Sequence, residues 1–305
     1  MAQGTRRDFF GYGGKPPRIR WPNDARVAVS VVVNFEEGAE FSVADGDAHN
    51  EAVYEVVHRV DGREDPCIDS HFEYGTRVGY WRLMSLLERF GVASTLSTCA
   101  RAAEVSPWVV KDAIARGHEV SAHGYRWESH AGSDMDEAAE RATIQKTAAI
   151  IEAATGKRPL GWHTRSGSTA NTRRLLVEQG FLYDSDAYND DLPYSVTVAG
   201  KPHLVLPYAF DTNDMQFQHS DRFALAADFA TYVCDAFDWL WREGAETPRM
   251  MSIGLHLRII ARPGRIGGVE KILEHMQRKG GVWFATREAI ARHWLAATGE
   301  AAGPR

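Results

Sequence analysis

Two adjacent carboxylates, Glu36 and Glu37, follow a valine-rich run near the start of the sequence. The run, residues 27–33, reads VAVSVVV and has the composition of a strand buried on both faces, as in a parallel sheet. Carboxylates at the end of such a strand are costly unless something uses them. Since neighbouring side chains of a strand point to opposite faces, one glutamate can face a substrate while the other binds a cation or a hydrogen-bond donor. The competing interpretation is a solvated acidic turn.

Clusters of polar and aromatic residues, several of them able to bind a metal or move a proton, follow later apolar runs. They are His123, Arg126, Trp127, Glu128 and His130; Trp162, His163 and Arg165; Asp184, Asp186, Asn189, Asp190 and Asp191; Asp211, Asn213 and Asp214; and His256, Arg258 and Arg262. Histidines and carboxylates can bind a divalent metal that keeps open coordination positions. They can equally do acid–base chemistry without metal, with a glutamate in a dry pocket and a histidine beside it. Any one of these residues could be an ordinary surface or core polar residue. The recurrence of such clusters after successive strands favours a functional site.

The strands that would position these clusters alternate with helices along the chain. The predicted strands are 26–34, 93–99, 118–122, a short one at 161–162, 204–207, 250–255 and 282–285. The predicted helices are 79–90, 108–116, 134–155, 171–179, 222–243, 267–279 and 287–297. Alternation without neighbouring strands predicts parallel strands joined by crossover helices, in one closed or nearly closed barrel. Its chemistry then lies on the loops after the strands. Residues 40–69 show no clear period and are predicted to be a long loop.

Composition narrows the class of protein. The 305 residues carry a net charge of −6, which gives no reason to expect nucleic acid or an anionic membrane as partner. The three cysteines lie far apart and without metal spacing, which argues against a disulfide scaffold and predicts a cytoplasmic protein. No segment has the length and apolarity of a membrane span, and the first residues do not read as a signal peptide.

The sequence resembles the polysaccharide deacetylase superfamily and, within it, the allantoinase-like branch. The motifs are RDFFGYGGKPPRIRWPNDARVAVSVVVNFEEG at 7–38, EYGTRVGYWRL at 73–83, HGYRW at 123–127, GWHTR at 161–165, YDSDAYNDDLPY at 183–194, DTNDMQF at 211–217 and GLHLRIIARPGR at 254–265. The resemblance implies an α/β fold, a distorted (β/α)7-type barrel. We expect one catalytic domain over 25–298, an irregular N-terminal arm over 1–24 and a flexible tail over 299–305. It also implies hydrolysis of C–N bonds, and we expect a homo-oligomer.

The first two superfamily motifs assign the base and the metal ligands. An Asp pair supplies the base and then a metal ligand in the superfamily, so the resemblance makes Glu36 the base and Glu37 a ligand. The second motif has two metal-binding histidines four residues apart; His123 is present, but the later position is Trp127. His130, from the following loop, is the replacement available. The resemblance therefore leaves two mechanisms open, one with a single divalent ion (Zn, Mn, Co or Ni) and one without metal.

The remaining roles come from the later motifs. His256 matches the general acid, and Arg165 stands near the arginine that orients the base. Without a metal, Arg126 or Arg165 would stabilise the oxyanion. We assign three kinds of residue to substrate binding. They are side chains that accept hydrogen bonds from ring N–H groups, aromatic rings that pack on a flat heterocycle, and polar residues near them. The set is Tyr74, Arg77, Arg126, Trp127, Trp162, His163, Asp190, Asp191, Asp214 and Arg262.

These residues predict a hydrolase that opens a cyclic amide or ureide by attack of base-activated water. Two other enzymes fit the same superfamily, a cyclic imidase and a metal-dependent N-deacetylase of acetylated sugars or peptidoglycan. Trp127 in place of the second histidine argues against the deacetylase. From a different class, the chain could be a binding protein that kept the barrel and lost turnover, since a fold never guarantees a function.

Overall fold

The computed structural model describes residues 7–53, 58–133, 135–218 and 222–299. The strands are β1 Val27–Phe35, β2 Thr95–Thr98, β3 Glu119–Ala122, β4 Gly161–Trp162, β5 Tyr183–Asp184, β6 Tyr194–Val198, β7 Lys201–Val205, β8 Arg249–His256 and β9 Val282–Phe284. The helices are α1 Pro66–Tyr74, α2 Tyr80–Arg89, α3 Ala100–Val105, α4 Pro107–Ala115, α5 Glu137–Thr155, α6 Thr172–Glu178, α7 Ala226–Glu243, α8 Leu257–Ile260, α9 Pro263–Lys279 and α10 Arg287–Thr298. A π-helical turn, Gly75–Gly79, joins α1 to α2.

All nine strands form one curled sheet in the order β6-β7-β5-β4-β3-β2-β1-β8, with β9 beside the first half of β1. Every pairing is parallel except that of β6 with β7. The prediction of a single-domain, mostly parallel barrel is therefore confirmed, as a curled half-barrel. No helix in the described ranges is long and apolar enough to cross a bilayer.

Strand β1 is central, and all nine of its residues are buried. Its alternate residues Val27, Val29, Val31, Val33 and Phe35 pack into the main hydrophobic core. The residues between them face the barrel interior, because successive strand side chains alternate. That face carries polar atoms toward the carboxyl end of the strand, where Asn34 and Glu36 line a cavity.

Two elements differ from the sequence-based expectations. The prediction of no neighbouring strands is wrong, because β6 and β7 form an antiparallel hairpin. Its turn is Ala199–Gly200, and both residues have positive φ, 48° and 77°; this is the backbone that two-residue hairpin turns require. The predicted loop over 40–69 ends early, because α1 begins at Pro66. Its N-cap Asp65 accepts hydrogen bonds from the backbone N–H groups of Cys67 and Ile68.

The predicted boundaries of the N-terminal arm and of the C-terminal tail stay predictions. The described part of the arm, residues 7–24, has one short 3-10 turn, Pro22–Asp24. Trp21 is buried and its indole N–H donates to the backbone oxygen of Arg249. Helix α10 ends at Thr298 with Gly299 in the left-handed conformation, and residues 300–305 lie outside the described ranges.

Gly254 in β8 lies at the open seam of the curled sheet, whose two edge strands are β6 and β8. Asn213, in the loop after β7, forms an isolated parallel bridge with Gly254, whose N–H donates to the oxygen of Thr212. A Cβ at Gly254 would overlap the Tyr208 hydroxyl and the Asn213 amide. The absence of a side chain therefore lets this loop close over the end of β8.

We expect Gly254→Ala to lower the free energy of unfolding by about 1–3 kcal/mol, as overpacking does in a tight interior. Gly267→Ala is the control, because a Cβ there meets nothing within 4 Å and Ala is the better helix former. Thermal and urea unfolding of both variants checks this. An unchanged Gly254→Ala midpoint would contradict the packing at the seam.

Candidate active site

The site lies where β1 and β8 end side by side. Asn34 pairs with His256 in the register of the two strands, and Glu36 follows two residues later on the same face. One carboxylate oxygen of Glu36, Oε1, lies 3.4 Å from Nε2 of His256 and 3.4 Å from Nε2 of His123, which follows β3. Parallel strands thus bring three functional residues, far apart in sequence, to one point.

Asp214 fixes the orientation of His256. One carboxylate oxygen lies 2.6 Å from the ring Nδ1, and the other accepts the backbone N–H of His256 at 2.8 Å. With Nδ1 directed at a carboxylate, Nε2 is left to face Glu36. Burial alone lowers the pKa of His256, but the carboxylates of Glu36 and Asp214 outweigh it and raise the pKa to about 9. His256 is therefore an imidazolium at neutral pH.

Arg258 is the second cation of the site, and its guanidinium is completely buried. Its Nη1 donates to the other oxygen of Glu36, Oε2, at 2.7 Å. The guanidinium lies over the rings of Phe72, at 4.4 Å, and Trp127, at 4.6 Å. Burial raises the pKa of Glu36, but His256 and Arg258 outweigh that effect and hold the pKa well below its usual range. Glu36 is thus an ionised carboxylate.

His123 presents a defined ring atom to Glu36. Its Nδ1 lies 2.7 Å from the backbone oxygen of His163, and a carbonyl oxygen only accepts, so Nδ1 carries a proton. Nε2 is consequently the atom that faces the carboxylate. The ring stacks on that of His163, with centroids 4.9 Å apart. Burial, with the charges of His123 and Arg287, lowers the pKa of His163 well below its usual value, so His163 is neutral.

Glu36, His123 and His256 line a cavity of about 230 Å³, whereas Asp214 and Arg258 lie behind them. Its walls include Trp127, His163 and Arg165, which were predicted to belong to the site. Three aromatic residues that the sequence analysis did not assign also line it, Tyr188, Tyr208 and Phe210. Tyr188 and Phe210 stack with centroids 3.6 Å apart, and Phe210 is 57% exposed. The pair forms the outer edge of the cavity.

The predicted metal ligands Glu37, His123 and His130 do not converge. Alternation along the chain sends Glu37 away from the cavity, so that its carboxylate packs on Gly75 and lies 3.7 Å from Arg258. His130 is buried, and its Nδ1 lies 3.0 Å from the carboxylate of Glu140. Within the described ranges no three His, Cys, Asp or Glu residues are grouped so as to hold a metal ion. The ligand set derived from the resemblance therefore does not fit.

Trp127, at the position of the missing histidine, has a role of its own. Its ring lies between two guanidinium groups, with Arg258 at 4.6 Å and Arg165 at 3.4 Å. Indole faces attract cations. The Trp127 ring thus stabilises the buried guanidinium of Arg258, which supplies a positive charge beside Glu36.

Comparison with known proteins places the chain in a family. The polysaccharide deacetylase family model matches residues 61–182. A Schizosaccharomyces pombe protein named "Putative polysaccharide deacetylase" is 39% identical, over 95% of this chain and 97% of that protein. The chain belongs to the polysaccharide deacetylase family.

Further relatives and solved structures refine this assignment. A peptidoglycan deacetylase of Helicobacter pylori is 28% identical over 77% of this chain and 89% of its own length. The crystal structure of Puue allantoinase is 43% identical with a TM-score of 0.92, and covers 98% of this chain and all of its own. That of a probable polysaccharide deacetylase from Pseudomonas aeruginosa is 46% identical with a TM-score of 0.90, over 96% of this chain and 98% of that one. The chain is a hydrolase acting on carbon–nitrogen bonds other than peptide bonds.

This family member departs from the roles that the sequence assigned to two residues. The arginine in contact with Glu36 is Arg258, whereas the Arg165 guanidinium donates to the Trp127 backbone oxygen at 2.6 Å and pairs with Glu51 at 3.1 Å. Arg165 was expected to orient the base, yet it lies in the cavity wall. Asp214, expected to bind substrate, instead holds His256. Arg258 lies two residues after His256, in α8, and its sequence context does not reveal the contact with Glu36.

Most of the other predicted substrate residues lie outside the cavity, because their partners hold them elsewhere. Tyr74 lies under Arg262, at 3.6 Å, on the outer side of the barrel. Arg126 pairs with Asp47, beside the ring of Phe41.

The rest of that set also has other surroundings. Arg77 is exposed and pairs with Glu73. Trp162 is a core residue whose indole N–H donates to Thr164. Asp190 and Asp191 line a separate cavity of about 260 Å³. Sequence order alone did not show which of these loops turn inward.

We expect Arg258→Met to lower the free energy of unfolding by about 3–5 kcal/mol, because it removes the cation that is hydrogen-bonded to the buried Glu36 carboxylate. Arg116→Met is the control: Arg116 pairs with Asp112 at 2.7 Å near the surface, where such pairs contribute about 1 kcal/mol or less. Chemical denaturation of the two variants measures the difference. Equal losses of unfolding free energy in the two variants would show that the buried Glu36–Arg258 pair stabilises the fold no more than a surface ion pair does.

Proposed function

We propose that the protein opens a C–N bond of a small cyclic amide or ureide by attack of water. The observation that carries this proposal is the meeting of an ionised carboxylate, Glu36, with an imidazolium, His256, at one oxygen atom in a small cavity. At neutral pH the base is already deprotonated and the acid already protonated. Ring opening needs both at once.

Glu36 is the base. Its Oε2 is occupied by Arg258, which leaves Oε1 to accept a proton from water. Nε2 of His123 lies 3.4 Å from the same oxygen, at the place where the attacking water would be held. Because the low pKa makes Glu36 a weak base, proton transfer has to accompany formation of the C–O bond, when the attacking water becomes strongly acidic.

His256 is the acid. Attack of the water oxygen on the ring carbonyl carbon forms a C–O bond and leaves a negative charge on the carbonyl oxygen, for which Arg165 is the guanidinium in the cavity wall. When the charge returns to the carbonyl, the C–N bond breaks and the nitrogen takes the proton of His256 Nε2. Glu36 then holds one proton and His256 lacks one, and a proton passing between them restores the site.

The size and walls of the cavity favour a small ring over a sugar chain. A volume of about 230 Å³ is below the range of drug-sized pockets, about 300–1,000 Å³. The stacked pair of Tyr188 and Phe210 at its edge suits a flat heterocycle. The similarity to Puue allantoinase supports this choice. The second candidate is N-deacetylation, favoured by the name of the Helicobacter pylori relative. A cyclic imidase would use the same residues.

Activity on a panel of substrates tests the proposal. The panel is allantoin, hydantoin, succinimide and an N-acetylglucosamine oligomer, each assayed with and without a chelator. We expect turnover of at least one ring and none of the sugar, with kcat retained after chelation, because the metal set does not fit this chain. Sugar deacetylation without ring opening would overturn the proposal. Loss of ring opening on chelation, restored by metal, would overturn its metal-free form.

We also expect Asp214→Asn to narrow the pH range of activity. His256 is protonated below a pKa of about 9 and loses its acid form as the pH rises through that value, so kcat should fall above about 9 in the natural protein. Removing one of the two carboxylates moves the pKa of His256 down, and the alkaline limb of kcat moves to lower pH with it.

Asp211→Asn is the matched control for that measurement. Asp211 belongs to the same loop, but its carboxylate accepts the Tyr232 hydroxyl and lies outside the cavity. Its pH profile should be unchanged. An alkaline limb that stays in place in Asp214→Asn would remove His256 from the role of acid.

A further inference from the structure

We propose that Asn34 is a specificity-determining residue whose side-chain oxygen accepts a hydrogen bond from a ring N–H of the substrate, on the nitrogen that does not leave. This inference rests on the proposed function and narrows its substrate class. It predicts that rings carrying a free N–H on the non-leaving nitrogen are preferred over the analogues methylated at that nitrogen.

Asn34 lies at the centre of the site. It is 1% exposed, faces the barrel interior with Glu36 and lines the same cavity. In the sheet it pairs with His256 of β8 on one side and with Ser97 of β2 on the other. A ring held between the base and the acid is therefore next to this amide.

The orientation of the amide is fixed by its nitrogen. Nδ2 lies 3.3 Å from the backbone oxygen of Leu255 and 3.2 Å from the hydroxyl of Tyr208. Because the carbonyl oxygen of Leu255 only accepts, the amide nitrogen and not the oxygen has to face it. Oδ1 is then left without a hydrogen-bond partner among the described residues. A buried acceptor of this kind costs about 1–3 kcal/mol when unpaired.

A second carboxamide in the cavity wall repeats this arrangement. Gln216 donates through Nε2 to the backbone oxygen of Phe210 at 2.6 Å, and its Oε1 has no partner in the described part of the chain. Both amides thus have their donor engaged by a backbone carbonyl and their acceptor free. Two unpaired acceptor oxygens in residues that line one cavity with Glu36 call for a ligand that brings hydrogen-bond donors, as the N–H groups of a ureide do.

The donor to Asn34 is a nitrogen other than the leaving one. The leaving nitrogen receives its proton from His256 Nε2, so its lone pair has to face that ring. A ureide ring has a second nitrogen, whose N–H stays in place through the reaction. Asn34 can hold that N–H throughout and so sets which carbonyl lies beside Glu36.

Binding of hydantoin and 1-methylhydantoin tests the assignment. The methyl group removes the N–H of the non-leaving nitrogen and keeps the ring and its imide. Isothermal titration uses the Glu36→Gln variant, so that turnover does not disturb the heats. We expect 1-methylhydantoin to bind about 10-fold or more weakly than hydantoin. In the double variant Glu36→Gln/Asn34→Leu, hydantoin should no longer bind more tightly than 1-methylhydantoin. The affinities of the two rings should then differ by no more than about 3-fold.

Ser97→Ala, added to Glu36→Gln instead, is the matched control. Ser97 is the neighbour of Asn34 in register, is buried and has an Oγ without a partner in the described ranges, but it lines a different cavity. The double variant Glu36→Gln/Ser97→Ala should prefer hydantoin over 1-methylhydantoin as strongly as Glu36→Gln does. If the Leu variant does not fold by circular dichroism, Asn34→Ala takes its place.

The outcomes separate this inference from the proposed function. A preference for hydantoin that survives in Asn34→Leu comes from steric exclusion of the methyl group and overturns the role of Asn34. Equal binding of both rings to Glu36→Gln, or binding of neither, overturns it as well. Each of these results leaves the hydrolase standing if the substrate panel shows ring opening; failure of the whole panel rejects the proposed function itself.

Discussion

The structure of the site depends on the buried ion pair of Glu36 and Arg258. Both residues are 0% exposed, and removing two charges from water is costly unless their contact is well made. A 2.7 Å hydrogen bond joins the pair and two aromatic rings lie beside the guanidinium, whose Nε and Nη2 have no hydrogen-bond partner among the described residues. Arg258 therefore gives Glu36 a permanent cation. The base stays ionised in an interior that would otherwise protonate it.

A second pair repeats the arrangement on the other side of the cavity. His256 and Asp214 form it, and their contact keeps the imidazole protonated. Two anions and two cations then balance within the site. Burial raises the pKa of Glu37 to about 7, with Arg258 opposing and Glu36 adding to the shift. Burial is also the main cause that raises the pKa of Glu40 to about 7.

Much of this arrangement could be predicted from the sequence. The contacts between residues far apart in the chain could not. Alternating apolar runs gave the parallel sheet, and the resemblance gave Glu36 and His256 their places. The role of Arg258 was missed, because a contact between residues 222 positions apart leaves no local signal. His130 was wrongly placed beside a metal, since its spacing from His123 does not reveal that Glu140 holds it. The hairpin of β6 and β7 had a local signal, the Ala199–Gly200 turn, which the expectation of strict alternation overrode.

The central claim is that His256 is protonated beside an ionised Glu36 at neutral pH. A nitrogen-15 NMR titration of the imidazole rings tests it most directly, with the His256 signals assigned by comparison with a His256→Asn variant. The account predicts that both ring nitrogens of His256 have the shifts of an imidazolium at pH 7 and change only as the pH approaches about 9. A neutral His256 ring at pH 7 would contradict it.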